Sequence, residues 1–284
     1  MYIEEVLINV LDRIDELYHR KDTYLGIATG FNDVDDITLG LKPSDLIIIA
    51  SRPSMGKTTF ATNIVENIEI SGRKSIAFYS LELSSENILM RMLSSITEIT
   101  LRNFRIGRLS SDDFKTLISK VESIKNLPIQ FFDSPTISIS KICEQCKRIC
   151  NTEGLDLVII DDIQLLAMNE QSNREDAISE IAHKLKLLAV ELNIPIIVIS
   201  QLNRDLERRD NKRPVLSDLR GAGILSQLAD IIFFIYRDEV YDEDSDDKGI
   251  VEIIIKKNRF GATGTVRLSF IGEFMKFDNL DSRS

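Results

Sequence analysis

The chain has 284 residues, 43% hydrophobic and 28% charged, with no low-complexity tract, so it can bury a sizeable core and is not a disordered segment. Its formal net charge of -10 excludes a protein that coats nucleic acid with its whole surface, and any such contact has to be local. No apolar run approaches the roughly 18 residues of a membrane span, the N-terminal MYIEEVLINVLDRIDE is acidic where a secretory signal is basic, and three cysteines make no disulfide framework, so a cytoplasmic protein is expected.

From Ile3 to Leu17 the apolar residues Ile3, Val6, Leu7, Val10, Leu11, Ile14 and Leu17 recur at helical spacing, which predicts an amphipathic helix whose stripe needs a partner. The polar stretch 18–36, broken by Gly26 and Gly30, separates that helix from the first buried strand at 46–50. Apolar runs at 75–80, 155–161, 194–200 and 230–236 then alternate with helical patterns at 57–70, 84–96 and 174–193. Near-continuous Ile/Val/Leu strands covered on both faces predict a doubly wound, mostly parallel α/β sheet. The segments GIVEIIIKK and GTVRLSF, joined by a turn around Gly261 and Gly264, predict an antiparallel hairpin at the sheet edge. Cys143, Cys146 and Cys150 lie on one helical face and lack a fourth ligand nearby, so they read as packing residues. His19 and His183 fall on polar helix faces.

The stretch IIIASRPSMGKTTFA, Ile47 to Ala61, follows a buried strand and opens a helix, which is the context of a phosphate-binding loop. Ser51 stands where the general pattern has its first glycine. Main-chain N–H groups of Ser51, Arg52, Ser54, Met55 and Gly56 would surround a phosphate, with Pro53, which has no N–H, shaping the loop between them, Lys57 on the outer oxygens and Thr58 on Mg²⁺; Thr59 continues the helix beside them. Asp161, at the end of the apolar strand LVIID, supplies the carboxylate that a Mg²⁺-nucleotide site needs. Glu82, just past the strand 75–80, is the candidate general base. Glu86 competes for that role but is better explained by a capping box beginning at Ser84 or Ser85. Gln201, at the end of a neighbouring strand, is placed to sense a γ-phosphate.

Five ordered stretches, GLKPSDLIIIASRPSMGKTTFA, YSLELSSENILMRML, SQLNRDLERRDNKRPVLSDLR, IIFFIYRDEVY and KKNRFGATGTVRL, resemble one family: the DnaB-type replicative DNA helicases, with their RecA-like motor domain. The resemblance runs from about Gly26 to Phe277, and within it ASRPSMGKTTF resembles that family's own form of the phosphate loop, so Ser51 is a small-residue variant. It implies ATP and Mg²⁺ as ligands, with Lys57, Thr58, Asp161, Glu82 and Gln201 in the roles given above. It further implies that Lys257 and Arg259 of KKNRFG reach the next subunit's nucleotide, Arg259 as an arginine finger in trans. Single-stranded DNA would be held in a central pore by Arg220 and by amides around Gly221 and Gly223, contacts that bind without reading sequence. A pore lined by local positive groups is compatible with an acidic exterior.

The resemblance also implies a hexameric ring, 5′ to 3′ translocation, and a primase and a helicase loader as partners. It divides the chain into a linker helix (1–24) that docks on the neighbouring subunit, a motor domain (25–278) and a tail (279–284). Full-length members carry an additional N-terminal domain. The chain departs from the family pattern at Gly221, where Glu is usual, at Ser226 and Leu228, where acidic residues are usual, and at Asp162, where an aromatic is common. A RecA-like ATPase that binds DNA or protein without unwinding, and a loading factor that joins helicase subunits through the helix 3–17, are the alternative readings.

Overall fold

A computed structural model of the chain describes residues 2–19, 24–72, 74–170 and 173–280. The first half runs α1 (Ile3–His19), α2 (Asn32–Thr38), β1 (Leu46–Ser51), α3 (Lys57–Gly72), β2 (Ile76–Ser80), α4 (Ser85–Thr97), α5 (Leu101–Ile106), α6 (Ser111–Ile124), β3 (Ile129–Phe132) and α7 (Ile139–Thr152). The second runs β4 (Leu157–Asp161), α8 (Ile163–Met168), α9 (Arg174–Leu192), β5 (Ile196–Gln201), α10 (Ala222–Leu228), β6 (Ile231–Tyr236), β7 (Ile250–Asn258), β8 (Gly264–Ile271) and β9 (Lys276–Asn279).

The nine strands form one sheet in the order β3-β2-β4-β5-β1-β6-β7-β8-β9. The six from β3 to β6 are parallel, and β7, β8 and β9 follow antiparallel. This is the RecA-like arrangement expected from the alternating runs. Alternate residues of each central strand serve opposite faces, as the period of two requires. Leu46, Ile48 and Ala50 pack with Val158, Ile160 and Val198 beneath α7, α8 and α9. Ile47 and Ile49 pack with Ile159, Ile197 and Ile199 beneath α3 and α4.

Several boundaries move for local reasons. The strand expected from 194 starts at Ile196, after Pro195, which has no N–H to donate to the ladder. The strand expected from 155 starts at Leu157, because the Asp156 carboxylate instead accepts the Ser75 N–H at 2.8 Å. Ser84 caps α4 as expected, but its hydroxyl accepts the N–H of Asn87, so the third helical position belongs to Asn87 and Glu86 is no part of a capping box. The hairpin is joined by a further strand, β9, which pins Phe277 against Phe60 and Phe270 and runs to Asn279, past the expected domain end. The rest of the expected tail, 281–284, lies outside the described residues.

The cysteines share one face of α7, with Cys146 buried against the Tyr79 hydroxyl at 3.6 Å. Of the stripe on α1, Ile3, Leu7, Val10, Leu11 and Ile14 are exposed rather than packed on the chain's own domain. Val6 and Leu17 of that stripe have side chains outside the described ones. Among the described residues, no helix is long and apolar enough to cross a membrane.

Candidate functional site

The parallel strands β1, β2, β4 and β5 all end at one edge of the sheet, and the loops that leave them enclose a cleft of about 590 Å³. Such an edge is where open α/β sheets bind ligands. Pro53, Ser54, Gly56, Lys57, Thr58 and Thr59 line it from the loop between β1 and α3, and Glu82 and Gln201 line it from the ends of β2 and β5. The loop turns through Ser54 (φ 67°) and Gly56 (φ 100°). A Cβ at Gly56 would lie 2.8 Å from the Phe277 ring, so both backbone conformation and space demand glycine there.

Ser51 has no such demand, because it is the last residue of β1, in extended conformation opposite Gln201. Its hydroxyl donates to the Arg52 carbonyl at 2.8 Å and is fully buried. Arg52 points away from the cleft, donating through Nε to Glu207 (2.8 Å) and through Nη1 to the Leu202 carbonyl (2.9 Å). Met55 packs into the core at 2% exposure. Ser51, Arg52 and Met55 therefore do not line the cleft.

Thr58 Oγ1 donates to Asp161 Oδ2 at 2.6 Å, joining the loop to β4. Carboxylate oxygens of Glu82, Asp161 and Asp162 lie within 4.8 Å of one another. Burial pushes the Asp161 carboxyl up to about 6; the Thr58 hydrogen bond opposes this and Asp162 adds to it. Asp162 is also raised by burial, and its Oδ1 accepts the Leu165 N–H to cap α8. Burial depresses the Lys57 ammonium, an effect opposed by Asp161, Asp162 and Glu82. Hard oxygen donors concentrated beside a desolvated lysine suit a divalent cation such as Mg²⁺ together with phosphate oxygens.

Sequence reasoning missed several cleft residues. Arg91 comes from α4 and lines the cleft, and its buried Nε has no hydrogen-bond partner among the described residues. Its signal was a charge inside the apolar run from Ile88 to Leu93. Arg237, at the end of β6, stacks over the Phe270 ring (4.1 Å to its centroid) and donates to the Ser54 carbonyl at 3.2 Å. Gln164 is buried on α8; its Oε1 accepts the Gln201 N–H at 3.0 Å and its Nε2 donates to Ser200 at 2.9 Å, holding Gln201 in place. No local pattern marks Gln164.

A second cleft, of about 660 Å³, is lined by Asn203, Ser217, Arg220, Gly221 and Gly223. Leu202 pairs with Leu219, and the Asn203 N–H donates to the Asp218 carbonyl at 2.8 Å. One residue separates Gln201 in the first cleft from Asn203 in the second. Gly221 takes φ +74° at the start of α10, and a Cβ there would lie 2.8 Å from Ile178 Cγ2.

Lys257 and Arg259 are not brought to this cleft. Strand β7 runs against β6, so its end lies where the parallel strands begin, across the sheet from Lys57. Lys257 Nζ donates to the carbonyls of Ser226 (2.7 Å), Gln227 (3.1 Å) and Ala229 (2.6 Å), and Arg259 Nη1 donates to Asp230 at 2.9 Å.

A family model for the DnaB-like helicase C terminal domain matches residues 26–279. The chain is 43% identical over 283 residues to the replicative DNA helicase DnaB of Geobacillus stearothermophilus, covering 99% of this chain and 62% of that protein. It is 47% identical over 283 residues to the corresponding protein of Buchnera aphidicola subsp. Baizongia pistaciae, covering 98% and 61%. The chain thus spans a little over three fifths of these relatives. Among solved structures, the ATPase domain of G40P superimposes with a TM-score of 0.91 at 37% identity, covering 99% of both chains. A DnaB-like replicative helicase, described with its interactions with primase, gives 0.88 at 36% identity, covering 99% of this chain and 67% of that one.

Proposed function

Since the chain belongs to the DnaB-like helicase C-terminal domain family, we propose that it is the motor of a replicative DNA helicase. It hydrolyses ATP at the subunit interfaces of a hexameric ring and moves 5′ to 3′ on single-stranded DNA. The observation that supports this best is the convergence of Lys57, Thr58, Glu82 and Gln201 on one cleft, with Asp161 bonded to Thr58 behind them.

In this reading Lys57 and the main-chain N–H groups of residues 51–57, Pro53 excepted, would hold the triphosphate, and Thr58 and Asp161 would hold Mg²⁺, with the carboxylates of Glu82 and Asp162 beside Asp161. The bound Mg²⁺ supplies charge that stabilises the phosphate oxygens. Glu82 accepts the proton of the attacking water as its oxygen bonds to the γ-phosphorus, while the bond to the bridging oxygen breaks and leaves ADP. Arg91 meets phosphate charge from within the chain. Lys257 and Arg259 of a neighbouring subunit complete the site from outside, which their place across the sheet allows. Loss of the γ-phosphate frees Gln201, and the Leu202–Leu219 pairing passes that change to the loop of Arg220, Gly221 and Gly223, where DNA phosphates bind. Helix α1 docks its exposed stripe on the adjacent subunit. A primase and a loader are the expected protein partners, and the cytoplasm the expected compartment.

Strand separation on a forked duplex tests the reading. ATP-dependent unwinding that requires a free 5′ tail supports it; ATPase activity and DNA binding without unwinding, even with the N-terminal domain of a relative supplied, sinks the helicase assignment in favour of a non-unwinding RecA-like ATPase.

A further inference from the structure

Asp230, the residue before β6, is 1% exposed, and its carboxylate lies beneath Arg259. Arg259 Nη1 donates to Oδ1 at 2.9 Å, and the Arg259 main-chain N–H donates to the Asp230 carbonyl at 2.8 Å. The other carboxylate oxygen, Oδ2, accepts the Leu46 N–H at 2.9 Å and Lys186 Nζ. The Asp230 N–H donates in turn to the Leu46 carbonyl at 2.8 Å. Every polar group of Asp230 is thereby fixed, and it is fixed to the first residue of β1, the strand whose other end carries the phosphate loop.

The Arg259 side chain is 49% exposed. Oδ1 takes a single donor of its five N–H groups, and Nε and Nη2 have no hydrogen bond among the described residues. Lys186 supplies a positive charge to Asp230 from α9, so the carboxylate does not cancel the guanidinium charge. The arrangement is a half-exposed arginine tethered at one corner, with its remaining donors unbonded among the described residues.

We propose that Asp230 is a positioning residue for ATP hydrolysis, which fixes the Arg259 guanidinium in the orientation in which it meets the neighbouring subunit's nucleotide. The proposal rests on the reading of Arg259 as acting in trans. An arginine ordered before the transition state loses no rotamer freedom on reaching it, and a misplacement near 1 Å at such a group costs up to about 10²-fold in rate. A latch that withheld the arginine would cover its donors and neutralise it; Asp230 does neither.

The test is steady-state ATPase kinetics on Asp230→Asn, Arg259→Ala and the double variant, together with mixing against Lys57→Ala subunits. Asp230→Asn is expected to lower kcat about tenfold or more with KM for ATP within about twofold, and to add nothing in the Arg259→Ala background. Mixing with Lys57→Ala should restore part of the activity, because an intact Lys57 half-site then meets an intact Arg259 half-site; a general loss of structure would not be restored this way. A kcat within twofold of the unaltered protein while Arg259→Ala abolishes turnover overturns the role of Asp230 and leaves the trans reading standing. Full turnover in Arg259→Ala overturns the trans reading itself. A rise in kcat, or a loss that mixing leaves in place, overturns the proposal as well. Should Asp230→Asn not fold, Asp230→Glu keeps the charge, moves it by one methylene and carries the same measurements.

Discussion

At the scale of single residues, the proposed function separates groups that bind from groups that react. Glu82 is exposed in the cleft and makes no hydrogen bond or ion pair among the described residues, whereas Thr58 and Asp161 are bonded to each other behind it. Glu82→Gln should therefore leave nucleotide affinity nearly unchanged and lower turnover by roughly 10² or more, as loss of a general base does; titration with a fluorescent nucleotide beside an ATPase assay separates the two effects. A second acid acts on stability. Glu66 is 7% exposed on α3, its Oε2 accepts from Asn63 (3.0 Å) and Ser95 (2.7 Å), and Oε1 has no hydrogen-bond partner among the described residues. Burial pushes its carboxyl up to about 8 from the ordinary 4.5. Between those pH values the unfolded chain has released this proton and the folded chain has kept it. The contribution is fully present below about 4.5 and is lost as pH rises towards about 8, by on the order of a few kcal/mol. Glu66→Gln mimics the protonated form, so thermal unfolding from pH 5 to 8 should show a flatter stability profile and a higher melting temperature at pH 8 than in the unaltered protein.

At the scale of elements, the helices and strands were legible to the degree that each carries its own period. The five central strands are predominantly apolar runs, and α3, α4 and α9 fill the gaps between them, so these elements appear within two residues of where the sequence places them. Strand β9 was not legible: of its residues only Phe277 is deeply buried, and it forms by pairing with β8. Helix α10 shows how a departure from family pattern becomes intelligible only in space. At φ +74° and with Ile178 close by, position 221 favours glycine both sterically and conformationally. Gly221→Ala should lower stability by roughly 1–2 kcal/mol, read as a shift in the denaturation midpoint, and weaken single-stranded DNA binding. In an Ile178→Ala background, itself about 2–5 kcal/mol less stable because Ile178 is a buried core residue, Gly221→Ala should cost only the conformational part. A fully stable Gly221→Ala with unchanged DNA affinity would remove this loop from the proposed DNA site.

At the scale of the whole molecule, the basic pair and the phosphate loop lie at opposite edges of one sheet, so a single chain cannot join them without unfolding. Two copies placed head to tail can. Lys57→Ala and Arg259→Ala, each inactive alone, should regain partial ATPase activity when mixed, because one class of interface then has both halves intact; mixed assemblies confirmed by native mass measurement that show no recovery would count against a shared site. The sequence by itself determined the doubly wound sheet and where a candidate phosphate loop and its candidate acidic partner Asp161 fall along the chain, because these depend on apolar periodicity and on short runs of chain. Only the tertiary structure decided that Arg52 and Met55 face away from the cleft, that Arg91 and Arg237 face into it, and that Asp230 carries Arg259. Those relations join positions 29 to 183 residues apart, and their direction is set by strand order and by the reversal at β7, which no local pattern encodes.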